Sequence, residues 1–419
     1  MVDVQPIGPP ELGMRPRHEH ARRMRTPSSR LPVRHLIGLA ILTLTGTVLA
    51  GTPFAADERE VCSASVRVYD PEFEPTTQQM AYYDGKGAIR VSPVLPDGRI
   101  GGRNCVGAVV ARDATLSLPG LPFKAGPEWA YSGRGLEIVF TQLDAGGRPF
   151  MASAAQARRG WRLTPLPESA ERGLALVSTD AEDAGPRLVY AHLTGLGSYE
   201  LAWREAWRPE TEAALPGDVD PRTGGAPRWV PGRRSLSLGL PDPITGNKQA
   251  ALIDVDTQAV RFLTQDAGDK DEVWLWRAPE FGGELALMTV ADGCCLRFYR
   301  EVQGQWLLQR ELRARDLSSR PMIVSPELLV HDGRSYVVMQ LGDSRLSGSD
   351  TWIASVDPGI LAPTQISDPS RPDLARSEPE WHVTPDAVFV YVTASATPGR
   401  FALNLLRTPL SAAARSGTR

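Results

Sequence analysis

The feature that most restricts what this chain can fold into is a short phrase that recurs along it, a proline followed two positions later by an aromatic or bulky apolar residue. It reads GPEWAYSG around Pro127, APRWVPGR around Pro227, APEFGGEL around Pro279, RPMIVSPE around Pro321 and EPEWHVTPD around Pro379. The 252 residues from Pro127 to Pro379 make five steps of about fifty, with one degenerate copy near ERGLALVSTD at residues 171–180. A weaker copy starts at Pro75.

The same material follows each phrase: AVFVYVT and FALNLLR after Pro379, LEIVFTQ after Pro127, and SLSLGL, AALIDVD and AVRFLT after Pro227. Short alternating or apolar runs bounded by Gly, Asp and Pro turns are strands. Beyond residue 56 no stretch carries a helical period. Strands this short are stable only once paired and stacked, and all-strand repeats of 40–50 residues build propeller blades. About 360 residues at that period predict an all-β chain, a β-propeller of seven four-stranded blades, with six as the alternative count. Proline can open a strand where the ladder does not need its N–H. The ring two positions on buries a large apolar area between neighbouring sheets. Trp129, Trp229, Phe281 and Trp381 are therefore assigned to inter-blade packing, with Ile323 filling that place in its copy.

PEWHVTPDAVFVYV, PRWVPGRRSLSL and VDTQAVRFLT together resemble the P-x-W-S-P-D-G repeat of TolB-type β-propellers, in which LT closes one blade. The resemblance covers most of residues 75–410, although no copy holds the whole motif and Pro321 lacks the aromatic. It implies an architecture, and it implies that the segments between LT and the next proline cross one face toward a central funnel where ligands bind. It implies no activity, because such propellers serve as scaffolds, ligand binders, sensors and enzyme accessories.

The longest of those segments, LTQDAGDKDEVWLWRAPEF, carries Asp266, Asp269, Lys270, Asp271, Glu272, Trp274, Trp276 and Arg277. Carboxylates spaced like Asp266, Asp269 and Asp271 suit calcium, and tryptophan beside Arg and Glu suits a sugar or peptide. Its counterpart before the last repeat adds Asp373, Arg376 and Glu378. Glu128, Glu280 and Glu380 share one repeat position, taken by Arg228 in another copy. If that position faces inward, it makes a ring of carboxylates broken by one guanidinium. No Cys/His spacing suggests zinc. His192, His331 and His382 sit in no motif, and G-x-S-x-G, H-E-x-x-H and phosphate-cradling glycine loops are missing. No catalytic residue is assigned. The expectation is an exported, monomeric, non-catalytic propeller that binds a protein, peptide or glycan ligand through the funnel. The alternatives are a carbohydrate-active lyase or hydrolase using Glu272 and Glu378 with Arg277, and a structural assembly module.

Residues 1–56 hold seven Arg and three acids around an uncharged run of sixteen residues, LIGLAILTLTGTVLAG. That run is short for a spanning helix and reads as a signal peptide cut after Ala50 or Ala56. An uncleaved anchor is the alternative and the one membrane contact expected. The expected location is periplasmic or secreted, with the propeller at 57–412 and a disordered tail at 413–419. Past residue 56 the chain has 39 basic and 46 acidic residues, so nucleic acid is not an expected partner. Of the four cysteines, Cys62 and Cys105 are the expected disulfide in an oxidising compartment. Cys294 and Cys295 are read as two buried thiols in preference to a vicinal disulfide.

Overall fold

A computed structural model describes residues 57–410, apart from 62–66, 103–104, 122, 134, 179–185, 196, 217–218, 220–225, 344–347 and 396–403. The expected signal peptide, Cys62 and the C-terminal tail lie outside the described residues. The chain forms seven antiparallel sheets arranged as a seven-bladed β-propeller. The inner strands are Tyr69–Glu74, Glu128–Ser132, Arg172–Val177, Arg228–Trp229, Lys270–Ala278, Met322–His331 and Ala375–Val383, for blades 1 to 7. The blade near residues 171–180 that only a degenerate repeat marked is real. In blade 2 the strand Gly135–Leu143 pairs both with the inner strand and with the short Ala114–Thr115. Among the described residues the helices are one turn at Ala314–Leu317 and a 3₁₀ turn at Pro279–Phe281, and none is long and apolar enough to cross a membrane.

Blade 7 takes its outermost strand, Arg59–Glu60, from the start of the described chain, where it pairs with Asn404–Leu410. Beside this closure Arg376 is locked to Glu58 by two 2.7 Å bonds, and neither side chain is open to solvent, at 0% and 1%. Arg376 also donates to the carbonyls of Ser349 and Leu374. A guanidinium taken out of water needs that full set of acceptors.

Seven apolar layers lie between the blades and close the ring. Ala81 and Ile89 of blade 1 meet Ile138 and Phe140 of blade 2. Val189 and Leu201 of blade 3 meet Leu236 and Leu238 of blade 4. Phe389 and Tyr391 of blade 7 meet Met80 and Tyr82 of blade 1. Each of the larger aliphatic and phenyl side chains among these contributes about 1.5–3 kcal/mol by leaving water. Trp129, Trp229 and Trp381 pack in these layers, and each ring N–H donates to the inner strand of the preceding blade, to Glu72 O, Leu176 O and Leu328 O. Ile323 is buried between blades 5 and 6.

Phe281 departs from its expected place. It packs against the layer between blades 5 and 6, but from the 3₁₀ turn that follows the inner strand and not from the strand's start. Pro279-Glu280-Phe281 is thus out of phase with the other copies. The phrases in blades 1 and 6 are also displaced by a few residues, to Pro71-Glu72-Phe73 and Pro326-Glu327-Leu328.

Five inner strands carry a bulge at equivalent places, with a left-handed residue at Asp70, Leu174, Glu272, Ser325 and Glu378 (φ 44–57°). Such backbone is uncommon outside glycine. Its recurrence marks a constructional device that bends each strand and re-aims its side chains. The structure joins Cys294 to Cys295, which corrects the reading of two buried thiols, while Cys62, the expected partner of Cys105, lies outside the described residues.

Candidate functional site

In four copies of the repeat, the residue just before the packing position is acidic: Glu72, Glu128, Glu327 and Glu380. Side chains alternate along a strand, so these carboxylates turn away from the layer that buries the next residue. Three bulges add Asp70, Glu272 and Glu378. Glu72 is repelled by Glu380, Glu128, Asp70 and Glu327, from blades 7, 2, 1 and 6. Charges from blades on several sides of a ring interact this way only around its axis, so this set lines the central channel.

Besides Lys124, whose charge reaches Asp70 and Glu378, the cation within it is Arg228 of blade 4. Its guanidinium lies 3.5 Å from the centre of the Trp274 ring, 3.4 Å from Glu272 and 3.9 Å from Glu327. Its Nε is buried without an acceptor among the described residues. Stacking on a tryptophan face holds a guanidinium in place while leaving its edge open to hydrogen bonds. On the opposite side Asp70 accepts from Gly126 N, and its own N–H donates to Glu378 Oε2 at 3.2 Å. A Cβ on Gly126 would fall 2.6 Å from the Asp70 carboxylate, so this approach requires glycine. Thr393 also donates to Glu378.

Crowding acids in a partly desolvated channel favours their neutral forms. Burial, then repulsion from Asp70, pushes Glu128 up to about 8 against the pull of Arg228. Burial also raises Glu327 to about 8; there the Arg228 charge opposes it and Glu272, Asp70 and Glu128 add to it. Glu378 rises to about 7 through burial and Asp70. Glu72 and Glu380 lie well above the ordinary carboxylate range, first through burial and then through repulsion, by Glu380 and Glu128 on Glu72 and by Glu327 and Asp70 on Glu380; Asp70 is raised by burial. Near neutral pH the raised carboxyls Glu128, Glu327 and Glu378 hold protons part of the time, so they both donate and accept hydrogen bonds.

Of the residues singled out from sequence, Glu272, Trp274 and Glu378 come together here, along with Glu128, Glu380 and Arg228. Others face elsewhere. Glu280 accepts from Ser335 N and Oγ beyond the end of its strand, so it leaves the ring it was expected to join. Trp276 is buried against blade 6, its ring N–H on Ser335 Oγ. Arg277 is exposed beside Gly283, and Arg376 is enclosed at the ring closure. Asp266 accepts from Arg297 and Tyr299, Asp269 from Lys248 N, and Asp271 from Lys248 Nζ. The ammonium of Lys270 is fully buried on three carbonyls, those of Asp266, Ala267 and Gly268, at 2.6–2.9 Å. That side chain occupies the carbonyl nest of its own loop. Among the described residues no group of three or more His, Cys, Asp or Glu is set to hold a metal ion. Sequence reasoning missed Asp70, Glu72 and Glu327; the Pro-Glu pairs at 71–72 and 326–327 were the available signal.

No known protein family and no curated protein matches the chain. Several solved structures share its fold. An oligogalacturonate lyase in complex with manganese is 13% identical over 85% of this chain and 94% of that one, with a TM-score of 0.51. The β-propeller domain of Cps50 (Swd1) from Myceliophteria thermophila is 12% identical over 83% and 98%, with a TM-score of 0.46. A putative TolB from Agrobacterium tumefaciens is 13% identical over 59% and 82%, at 0.39. At such identities the likeness is one of fold.

Proposed function

We propose that this chain is an exported, non-catalytic propeller of the TolB-type repeat class, and that its central channel binds a cationic group presented by a peptide or protein. The observation that supports this most is the convergence of seven carboxylates from five blades on one axis, with a single guanidinium among them. A lysine, arginine or terminal amine entering the channel would displace protons from the carboxyls that burial holds above the ordinary range, Glu128, Glu327 and Glu378 among them, and relieve their repulsion. Binding of this kind releases protons and weakens with salt. Titration of an oligolysine peptide by calorimetry in two buffers of different ionisation enthalpy tests the reading. Binding accompanied by proton release, and reduced about tenfold by Glu380→Gln, is the expected result. Oligolysine that fails to bind at low salt sinks the proposal.

A second reading is favoured by the proton-holding acids themselves. Carboxyls that titrate at about 7 and 8 are placed for acid–base work at neutral pH. In this reading the channel cleaves an acidic glycan, with Arg228, in place of Arg277, neutralising the substrate's carboxylate. Incubation with polyuronides at neutral pH, followed by the ultraviolet absorbance of an unsaturated product, separates the two: turnover abolished by Glu327→Gln would favour the enzyme.

A further inference from the structure

We propose that Cys294–Cys295 is a thiol–disulfide exchange site whose state is transmitted to the channel. The pair sits in the turn between Glu284–Ala291 and Cys295–Val302 in blade 5, and both residues are half-buried, open enough for a small dithiol. A disulfide between adjacent residues closes a small ring through the peptide that links them and so restricts the backbone of the turn.

This turn holds the starts of two inner strands. On one side Asp292 N donates to Asp269 O and Asp269 N to Asp292 Oδ1, both at 2.9 Å. Gly268 lies so close to the Asp292 carboxylate that a Cβ there would come within 2.4 Å of it. On the other side Ile323 N donates to Gly293 O at 2.8 Å and Ala314 N to Cys294 O at 2.9 Å. Asp269 precedes Glu272 by three residues and Ile323 precedes Glu327 by four. Glu272 and Glu327 are the two carboxylates beside Arg228. One cysteine turn therefore anchors both strands that hold the channel's guanidinium.

The step is a reduction by a dithiol. A thiolate of the reductant attacks one sulfur and the Cys294–Cys295 bond breaks, forming a mixed disulfide and a free thiol on the other cysteine. The reductant's second thiol then displaces the bound cysteine, leaving two thiols on the protein and the reductant as its own disulfide. With the small ring open, the Gly293 and Cys294 carbonyls lose their restraint, the bonds to Ile323 and Ala314 weaken, and the two strands shift against Arg228.

The consequence for ligand binding rests on the channel reading above, so the test carries a readout that does not. Amide exchange over residues 266–272 and 314–327 is followed by mass spectrometry in the oxidised protein, after dithiothreitol, and in Cys294→Ser/Cys295→Ser, which leaves Cys62 and Cys105 unaltered. Exchange is expected to rise about tenfold in both altered forms, with oligolysine affinity changing at least threefold. Unchanged exchange, once alkylation mapping shows that Cys294 and Cys295 are reduced, overturns the proposal. If the double variant does not fold, the reduced wild type decides alone, and failure of dithiothreitol to reduce the pair in the folded protein overturns it too. Raised exchange without oligolysine binding to either form leaves the redox linkage standing and removes the channel reading.

Discussion

Arg228 and Trp229 are consecutive residues of one two-residue strand, yet they belong to different parts of the molecule. Trp229 is buried between blades 3 and 4, and Arg228 faces the axis beside Glu272 and Glu327. Glu380 and Trp381 are divided in the same way, as are Glu128 and Trp129, and Glu72 and Phe73. Because strand side chains alternate, each repeat supplies a packing residue and a channel residue from neighbouring positions. The packing position is uniformly apolar, as wedging sheets demands. The channel position varies in charge, because nothing in the blade depends on it. Stability resides in one half of the phrase and the channel charges in the other, which is where the proposed function puts binding.

Breaking the closure tests the structural half hardest. Arg376→Ala leaves Glu58 buried without its cation and the Ser349 and Leu374 carbonyls without a donor, a loss of about 5 kcal/mol at the upper end for a broken buried pair. Chemical denaturation should show it, with blade 7 and the Arg59–Glu60 strand released first. Trp229→Ala removes a ring that is 8% exposed and should cost about 3–4 kcal/mol. If Trp229→Ala melts with the wild type, the packing half of the comparison is wrong.

The same division explains what could be read from the chain. Blade number and all-strand class follow from the packing residues, because apolar wedges must recur at the blade period. The channel was only half legible. Bulges at Asp70, Glu272, Ser325 and Glu378 insert a residue between turn and wedge, so counting from Pro75 or Pro321 lands in the wrong phase. Leu328 hid the blade 6 copy by lacking a ring, while Pro279-Glu280-Phe281 imitated the phrase at a strand's far end. Lys270 and Arg376 looked like ligand-binding charges because no spacing rule reveals that a cation will be enclosed by carbonyls or by a glutamate 318 residues away.

Titration sharpens the comparison further. The folded pKa values of Glu128 and Glu327, about 8, lie above the ordinary 4.5. Their contribution is full below about pH 4.5 and is lost as pH rises to about 8. His382 works the other way. Burial lowers it from 6.5 to about 4, so its contribution is present above pH 6.5 and lost as pH falls toward 4. Between about pH 4.5 and 6.5 the two carboxylates lose more than the one histidine gains, so together they predict a melting temperature that is highest near pH 4.5 and declines toward pH 8. Glu327→Gln should flatten the alkaline decline and stabilise the protein at pH 8 by on the order of 1 kcal/mol, about 2 °C. A melting temperature that climbs from pH 5 to 8 would mean the channel acids are ionised and apart.

The smallest effect on stability is the most informative about function. Glu272 is 37% exposed and its bond to Arg228 is long, at 3.4 Å. Solvent screening leaves such a pair worth under about 0.5 kcal/mol, so Glu272→Gln should melt within about 1 °C of the wild type. Its effect should appear in the channel. With that carboxylate neutral, Arg228 is balanced by fewer acids, the axis carries one more net positive charge, and oligolysine affinity should fall about threefold at low salt and recover toward parity as salt is added. A Glu272→Gln protein that unfolds would place Glu272 in the structural half, whereas one that binds as before at every salt concentration would remove it from the site.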